Sequence, residues 1–159
     1  MNENNLEKII NNIVGDAIVK EVMSLKLAVK LIETVEEKAA EMGFAVVVAV
    51  SDASGRPVAV HCMDGAYHGS FDVAVNKTYT STAFQMSTAK LSRLCQPGQD
   101  LYGLQFSNNG KVMILGGGEP LMVGRTMIGA LGVSGGSAQE DSDLAAYGAS
   151  ALKEVIKCL

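Results

Sequence analysis

The sequence of 159 residues contains no tryptophan, and only 5% of its residues are aromatic. Its hydrophobic content of 48% therefore predicts a core built mainly from aliphatic side chains. No apolar run approaches the roughly 18 residues that a membrane-spanning helix needs, so we expect no transmembrane helix and no membrane partner. The first residues lack a cationic start and an apolar segment, so we expect no secretory signal.

Cysteine is also scarce, and the three cysteines lie far apart at Cys62, Cys95 and Cys158. Without a CxxC motif or paired Cys/His spacing, this pattern favours reduced thiols in a cytoplasmic protein over a disulfide framework. Two histidines and no acidic metal cluster argue against a dedicated zinc hydrolase. The chain also lacks a nucleophile elbow and the GxGxxG and GK[ST] signatures, so nothing in it requires an enzyme.

The charge balance excludes another class of protein. Lysine and arginine number 13 against 17 acidic residues, a net charge of −4, which argues against a nucleic-acid partner. The length predicts one domain over residues 20–159 with an N-terminal extension over residues 1–19. In that extension an apolar stripe at helical spacing predicts an amphipathic helix. The helix could pack on the domain, pack on a second subunit, or dock on a groove of another protein.

The clearest structural signal lies between residues 44 and 66. The apolar run 45–50, the Asp/Ser/Gly cluster 51–55 and the apolar run 57–60 predict two strands joined by a turn. Before them, the 3.6-residue period over 16–42 predicts a helix that ends at Gly43.

The second half of the chain is also predicted to contain both helices and strands. We expect a helix capped by Ser70, a short helix from Ser87 to Leu94, a third strand over 111–115 and a tight loop over 116–120. A second hairpin joins 121–123 to 127–133, and a capping box at Ser137 begins the last helix. This order predicts an α+β fold with a roughly five-stranded antiparallel sheet flanked by helices.

Several motifs in this order resemble the GlcG/HbpS family, which includes the C-terminal domain of the PduO proteins. They are VSDASG at 50–55, MDGA at 63–66, NKTYTS at 76–81, GGGEP at 116–120 and GALGVSGG at 129–136. The resemblance covers about residues 22–157. It implies the same kind of sheet, homo-oligomers from dimers to octamers, and haem binding, which is known for some members.

PduO-type proteins belong to propanediol-utilisation microcompartments, and residues 1–19 resemble the encapsulation peptides of enzymes carried inside such compartments. The resemblance therefore implies a location inside a bacterial microcompartment, with contact to shell or cargo through residues 1–19.

The candidate iron ligands follow the first hairpin. On a strand, His61 and Met63 share a face and Cys62 points the other way. An imidazole can supply an axial haem ligand and a methionine another, so we predict His61 as the metal ligand and haem as the cofactor. His61 could equally be a half-buried structural histidine. The predicted haem pocket is walled by Met63, Met113 and Met122.

Polar groups for the ligand come from two further motifs. Asp64 and Lys77 could orient an anion or transfer a proton, or they could form a salt bridge between helix and hairpin. Gly117, Gly135 and Gly136 expose backbone N–H groups that could hold a haem propionate or another carboxylate, or they could be plain tight turns. The first hypothesis is an oligomer that binds haem or a related tetrapyrrole. The alternative is an accessory enzyme or binding protein for a small hydroxy acid or aldehyde.

Overall fold

Helix α1 spans Leu25–Met42 in the computed structural model, which describes residues 22–159. The Ser24 hydroxyl caps it by accepting a hydrogen bond from the Leu27 N–H at 3.1 Å, and Gly43 ends it in a left-handed conformation. Within the described residues the helix therefore begins later than predicted, because Ser24 has extended backbone angles. The rest of that prediction and the amphipathic segment 1–19 lie outside the described residues.

Two antiparallel hairpins build the sheet. Strand β1 (Val47–Asp52) pairs with β2 (Pro57–Cys62), and β3 (Gly118–Val123) pairs with β4 (Thr126–Ser134). Strand β4 also pairs with β1, which gives the order β2-β1-β4-β3. The predicted α+β class and antiparallel sheet are confirmed, although the sheet of the described residues has four strands rather than roughly five. Strands β2 and β3 form its two edges.

Residues 111–115 do not form the predicted third strand. The Met113 N–H donates to the Thr80 hydroxyl at 2.8 Å instead of to a neighbouring strand. Val112 packs in a small separate cluster with Leu91 and Cys95. The predicted loop over 116–120 is also wrong in its second part, because Gly118 already begins β3. Pro120 is tolerated there because β3 is an edge strand.

Helices lie on both faces of the sheet. Helix α2 spans Ser70–Phe84, the short α3 spans Thr88–Leu94, and α4 spans Ala138–Lys157. The larger core joins α1 and α4 to one face of the sheet, and a smaller cluster joins α2 to the other. None of the helices in residues 22–159 is long and apolar enough to cross a membrane.

The predicted helix starts were partly right. Ser87 caps α3, and the capping box of Ser137 and Glu140 begins α4 as predicted. The predicted Ser70 cap is wrong: Ser70 is the first residue of α2, and Gly69 occupies the cap position.

Candidate functional site

His61 lies on the edge strand β2, on the sheet face covered by α1 and α4. It pairs in register with Val48, whose side chain belongs to the larger core. The ring Nδ1 lies 3.3 Å from Oε2 of Glu36 on α1, and the two side chains are 36% and 23% exposed. In the neutral ring, a carboxylate at Nδ1 favours the tautomer that carries the proton there and leaves a lone pair on Nε2.

The residues next to His61 in the sequence differ in how well they could bind a metal. The Met63 sulfur accepts a hydrogen bond from the Val46 N–H at 3.5 Å, so it is already directed at the protein backbone. Cys62 pairs with Val47 and lies on the other face of the sheet with an exposed side chain. Of these three adjacent residues, His61 is the one whose geometry best suits a metal ligand.

The methionines predicted to wall one pocket lie apart. Met63 follows β2, whereas Met122 lies on β3 at the opposite edge of the sheet. Three strand spacings separate these edges, a distance of about 14 Å. Met122 instead lines an apolar groove of about 380 Å³ with Leu152 and Ile156. The described residues of one chain therefore do not form the predicted pocket, because the strand order separates its walls.

Lys77 makes a buried ion pair with Asp141 in the first turn of α4. Its Nζ lies 2.8 Å from Asp141 Oδ2 and 2.6 Å from the Val133 carbonyl oxygen. The side chains of the pair are only 1% and 6% exposed. The carboxylate partner of Lys77 is therefore Asp141 and not Asp64, which is exposed in the loop after β2.

The two glycine loops surround this ion pair. The N–H groups of Gly135 and Gly136 donate to Asp141 Oδ1 at 3.1 and 2.9 Å. Gly117 has a φ of +108°, and a Cβ at that position would lie 2.8 Å from Lys77 Nζ. The N–H groups of Gly135 and Gly136, which were predicted to hold a ligand carboxylate, thus already bind the carboxylate of Asp141. A ligand anion would have to displace Asp141 from these amides.

Asp141 was not among the residues predicted from the sequence, although a local signal for it was present. The capping box at Ser137 places Asp141 in the first turn of the helix directly after the Gly135-Gly136 loop. Burial lowers the pKa of Lys77, and the hydrogen bond and negative charge of Asp141 only partly oppose this effect. Internal pairing therefore accounts for Lys77 of the NKTYTS motif and for the two glycine N–H groups of the SGG motif without a ligand.

The carboxyl of Glu119 on β3 gives a prediction about pH. Glu119 is half-buried, and burial raises the pKa of its carboxyl. Between the unfolded and folded pKa values the folded state binds more protons, so stability falls as pH rises through that window. We expect Glu119→Gln to raise the Tm at neutral pH and to leave it unchanged near about pH 3, where the carboxyl is protonated in both states. An equal gain at both pH values in thermal unfolding experiments would contradict this explanation.

Comparison with known proteins places the chain in a family. Residues 23–150 match the family model described as haem degrading protein HbpS-like. An uncharacterised 15.0 kDa protein from the dhaT-dhaS intergenic region of Citrobacter freundii is 39% identical over 123 residues, which are 77% of this chain and 87% of that protein. The corrinoid adenosyltransferase PduO of Salmonella typhimurium is 39% identical over 109 residues, which are 69% of this chain. The match spans only 32% of PduO.

Solved structures agree with this assignment. Klebsiella pneumoniae protein ORFY, a DUF336 protein, has a TM-score of 0.80 and 36% identity, with 82% of this chain and 90% of that chain covered. A PduOC:heme complex has a TM-score of 0.78 and 35% identity, with 82% and 94% covered. A double mutant of Streptomyces reticuli HbpS has a TM-score of 0.73 and 26% identity, with 82% and 87% covered. The family model, the relatives and the fold agree with the five sequence motifs, and the chain belongs to the HbpS-like family.

Proposed function

We propose that this protein binds haem or a closely related tetrapyrrole, and that His61 supplies the iron ligand. The observation that carries the proposal is the 3.3 Å contact between His61 Nδ1 and Glu36 Oε2, which in the neutral ring favours a proton on Nδ1 and would leave the Nε2 lone pair to a metal. The partial exposure of the ring gives a ligand access to it. The likeness to a PduOC:heme complex at 35% identity supports haem as the cofactor.

The predicted site residues differ in how well they suit haem. His61 has the donor chemistry of an axial ligand, and bound haem iron would supply electron-transfer or small-molecule-binding chemistry. Met63 fits less well, since its sulfur accepts a backbone hydrogen bond. Lys77, Gly135 and Gly136 already bond to Asp141, which argues against their holding haem propionates or the small hydroxy acid of the alternative hypothesis.

The position of His61 on an edge strand favours a site shared between copies of the chain. Three grooves of the described residues, of about 380, 410 and 540 Å³, are lined by residues other than His61. A haem on the exposed edge of β2 would be covered on one side only, and a second copy of the chain would cover the other.

The relationship to PduO supports a microcompartment location, in which residues 1–19 would contact shell or cargo.

A hemin titration followed by visible absorption tests the ligand assignment. We expect a saturable Soret change at no more than about one haem per chain, and binding at least tenfold weaker in His61→Ala, a loss of about 1.4 kcal/mol or more. His68→Ala is the matched control, because it removes the second histidine from an exposed loop seven residues further on. Hemin binding of equal strength in the parent and in His61→Ala would overturn the ligand assignment. A change that never saturates would overturn the proposed function itself.

A further inference from the structure

Glu36 differs from the neighbouring acidic residues of α1 in what it contacts. Glu33 pairs with Lys30 at 3.0 Å and Glu41 pairs with Lys38 at 2.8 Å, both within one turn of the helix. Glu36 instead reaches across to the sheet, and its Oε2 contacts a residue 25 positions away. Its side chain is 23% exposed, so solvent screens its charge less than that of a fully exposed carboxylate.

The helix holds this carboxylate at a defined place beside the strand. Val35 and Ala39, on either side of Glu36 in the sequence, are fully buried in the larger core. Packing therefore fixes the rotation of α1 about its axis. Only the side-chain torsions of Glu36 remain to be ordered when its carboxylate contacts the ring of His61. This is the arrangement in which a carboxylate sets both the orientation and the tautomer of a metal-binding histidine.

We propose that Glu36 is a positioning residue for the haem site, which orients His61 and increases the electron donation of its Nε2 to iron. The inference rests on the proposed function. With the proton held at Nδ1 by a carboxylate, the imidazole gains anionic character and favours ferric over ferrous iron. Glu36 would not touch the haem; it would act through His61.

Two substitutions separate the charge of Glu36 from its hydrogen bond. Glu36→Gln keeps an acceptor oxygen for Nδ1–H and removes the charge, whereas Glu36→Leu removes both. We expect the hemin affinity of Glu36→Gln to stay within about threefold of that of the parent. Its preference for ferrous over ferric haem should increase about tenfold. This fold-change corresponds to a rise of about 59 mV in the one-electron potential. Glu36→Leu should in addition bind hemin more weakly, because the ring is no longer oriented.

Glu37→Gln is the matched control, since it removes the same charge from an exposed position of the same helix. The measurements are a redox titration of the haem complex, the iron–histidine stretching frequency of the ferrous complex, and the ¹⁵N shifts of the His61 ring without haem. We expect the first two to change in both Glu36 variants and not in Glu37→Gln. The ring shifts should report the Nδ1–H tautomer in the parent and a mixture of tautomers in Glu36→Leu.

The outcomes distinguish the failure of this inference from the failure of the proposed function. If the parent binds hemin and His61→Ala does not, but both Glu36 variants keep the parent potential and stretching frequency, the positioning role is overturned while the haem site stands. Equal shifts in Glu36→Gln and Glu37→Gln would overturn it too, because surface charge would then explain the effect. If the parent shows no saturable binding, both proposals fail, even where the ring shifts confirm the contact with Glu36.

Discussion

Lys77→Met is expected to lower the free energy of unfolding by about 3–5 kcal/mol, which is the cost of leaving one partner of a buried ion pair alone. Methionine fills similar space without the charge, so the loss arises mainly from electrostatics. The Asp141 carboxylate would stay buried with only the N–H groups of Gly135 and Gly136 as donors, and the Val133 carbonyl would lose its bond to Nζ. Urea unfolding followed by circular dichroism measures the loss.

Two further variants test this explanation. The double variant Lys77→Met/Asp141→Asn removes both charges but keeps an acceptor oxygen for the two glycine N–H groups, so it should recover a substantial part of the lost stability. Lys30→Met is the control: it breaks an exposed pair with Glu33, and such pairs contribute about 1 kcal/mol or less. If Lys77→Met cost no more than Lys30→Met, the buried pair would not be a major source of stability.

The features predicted correctly from the sequence depend on residues close together in the chain. In the first hairpin, Asp52 Oδ1 accepts hydrogen bonds from the N–H groups of Ser54 and Arg56 at 3.0 and 3.1 Å. Such a turn is encoded within five residues. The capping box of Ser137 and Glu140 is encoded within four.

The site was less predictable because its contacts join distant parts of the chain. Lys77 was identified as a candidate, but its partner Asp141 lies 64 positions away. The contact of His61 with Glu36 depends on how α1 is rotated on the sheet, and that rotation follows from the packing of the whole core. Likewise, the segment 111–115 resembles a strand because residues 112–115 are apolar, but Thr80 of α2 accepts the hydrogen bond that a neighbouring strand would have taken.

Gly132→Ala is expected to cost about 3 kcal/mol, at the upper end of what overpacking a core costs. Gly132 lies in β4 between Ala49 of β1 and Gly118 of β3. A Cβ there would clash with the carbonyl oxygen of Ala74 and would lie 3.0 Å from Thr78 Cγ2, both on α2. A carbonyl in the middle of a helix cannot move alone, so α2 as a whole would have to move away from the sheet.

The chain offers a control and a second-site test for this clash. Gly69→Ala adds the same methyl group at the start of α2, where no atom lies within 4 Å of the new Cβ, and should cost less than about 1 kcal/mol. Adding Thr78→Ser to Gly132→Ala removes the methyl contact but not the clash with the Ala74 carbonyl, so stability should recover only slightly in urea unfolding. Full recovery would mean that the side chain of Thr78, and not the helix backbone, sets the distance between α2 and β4. Because Lys77 reaches the Val133 carbonyl from the same helix, that distance also determines whether the buried ion pair can form.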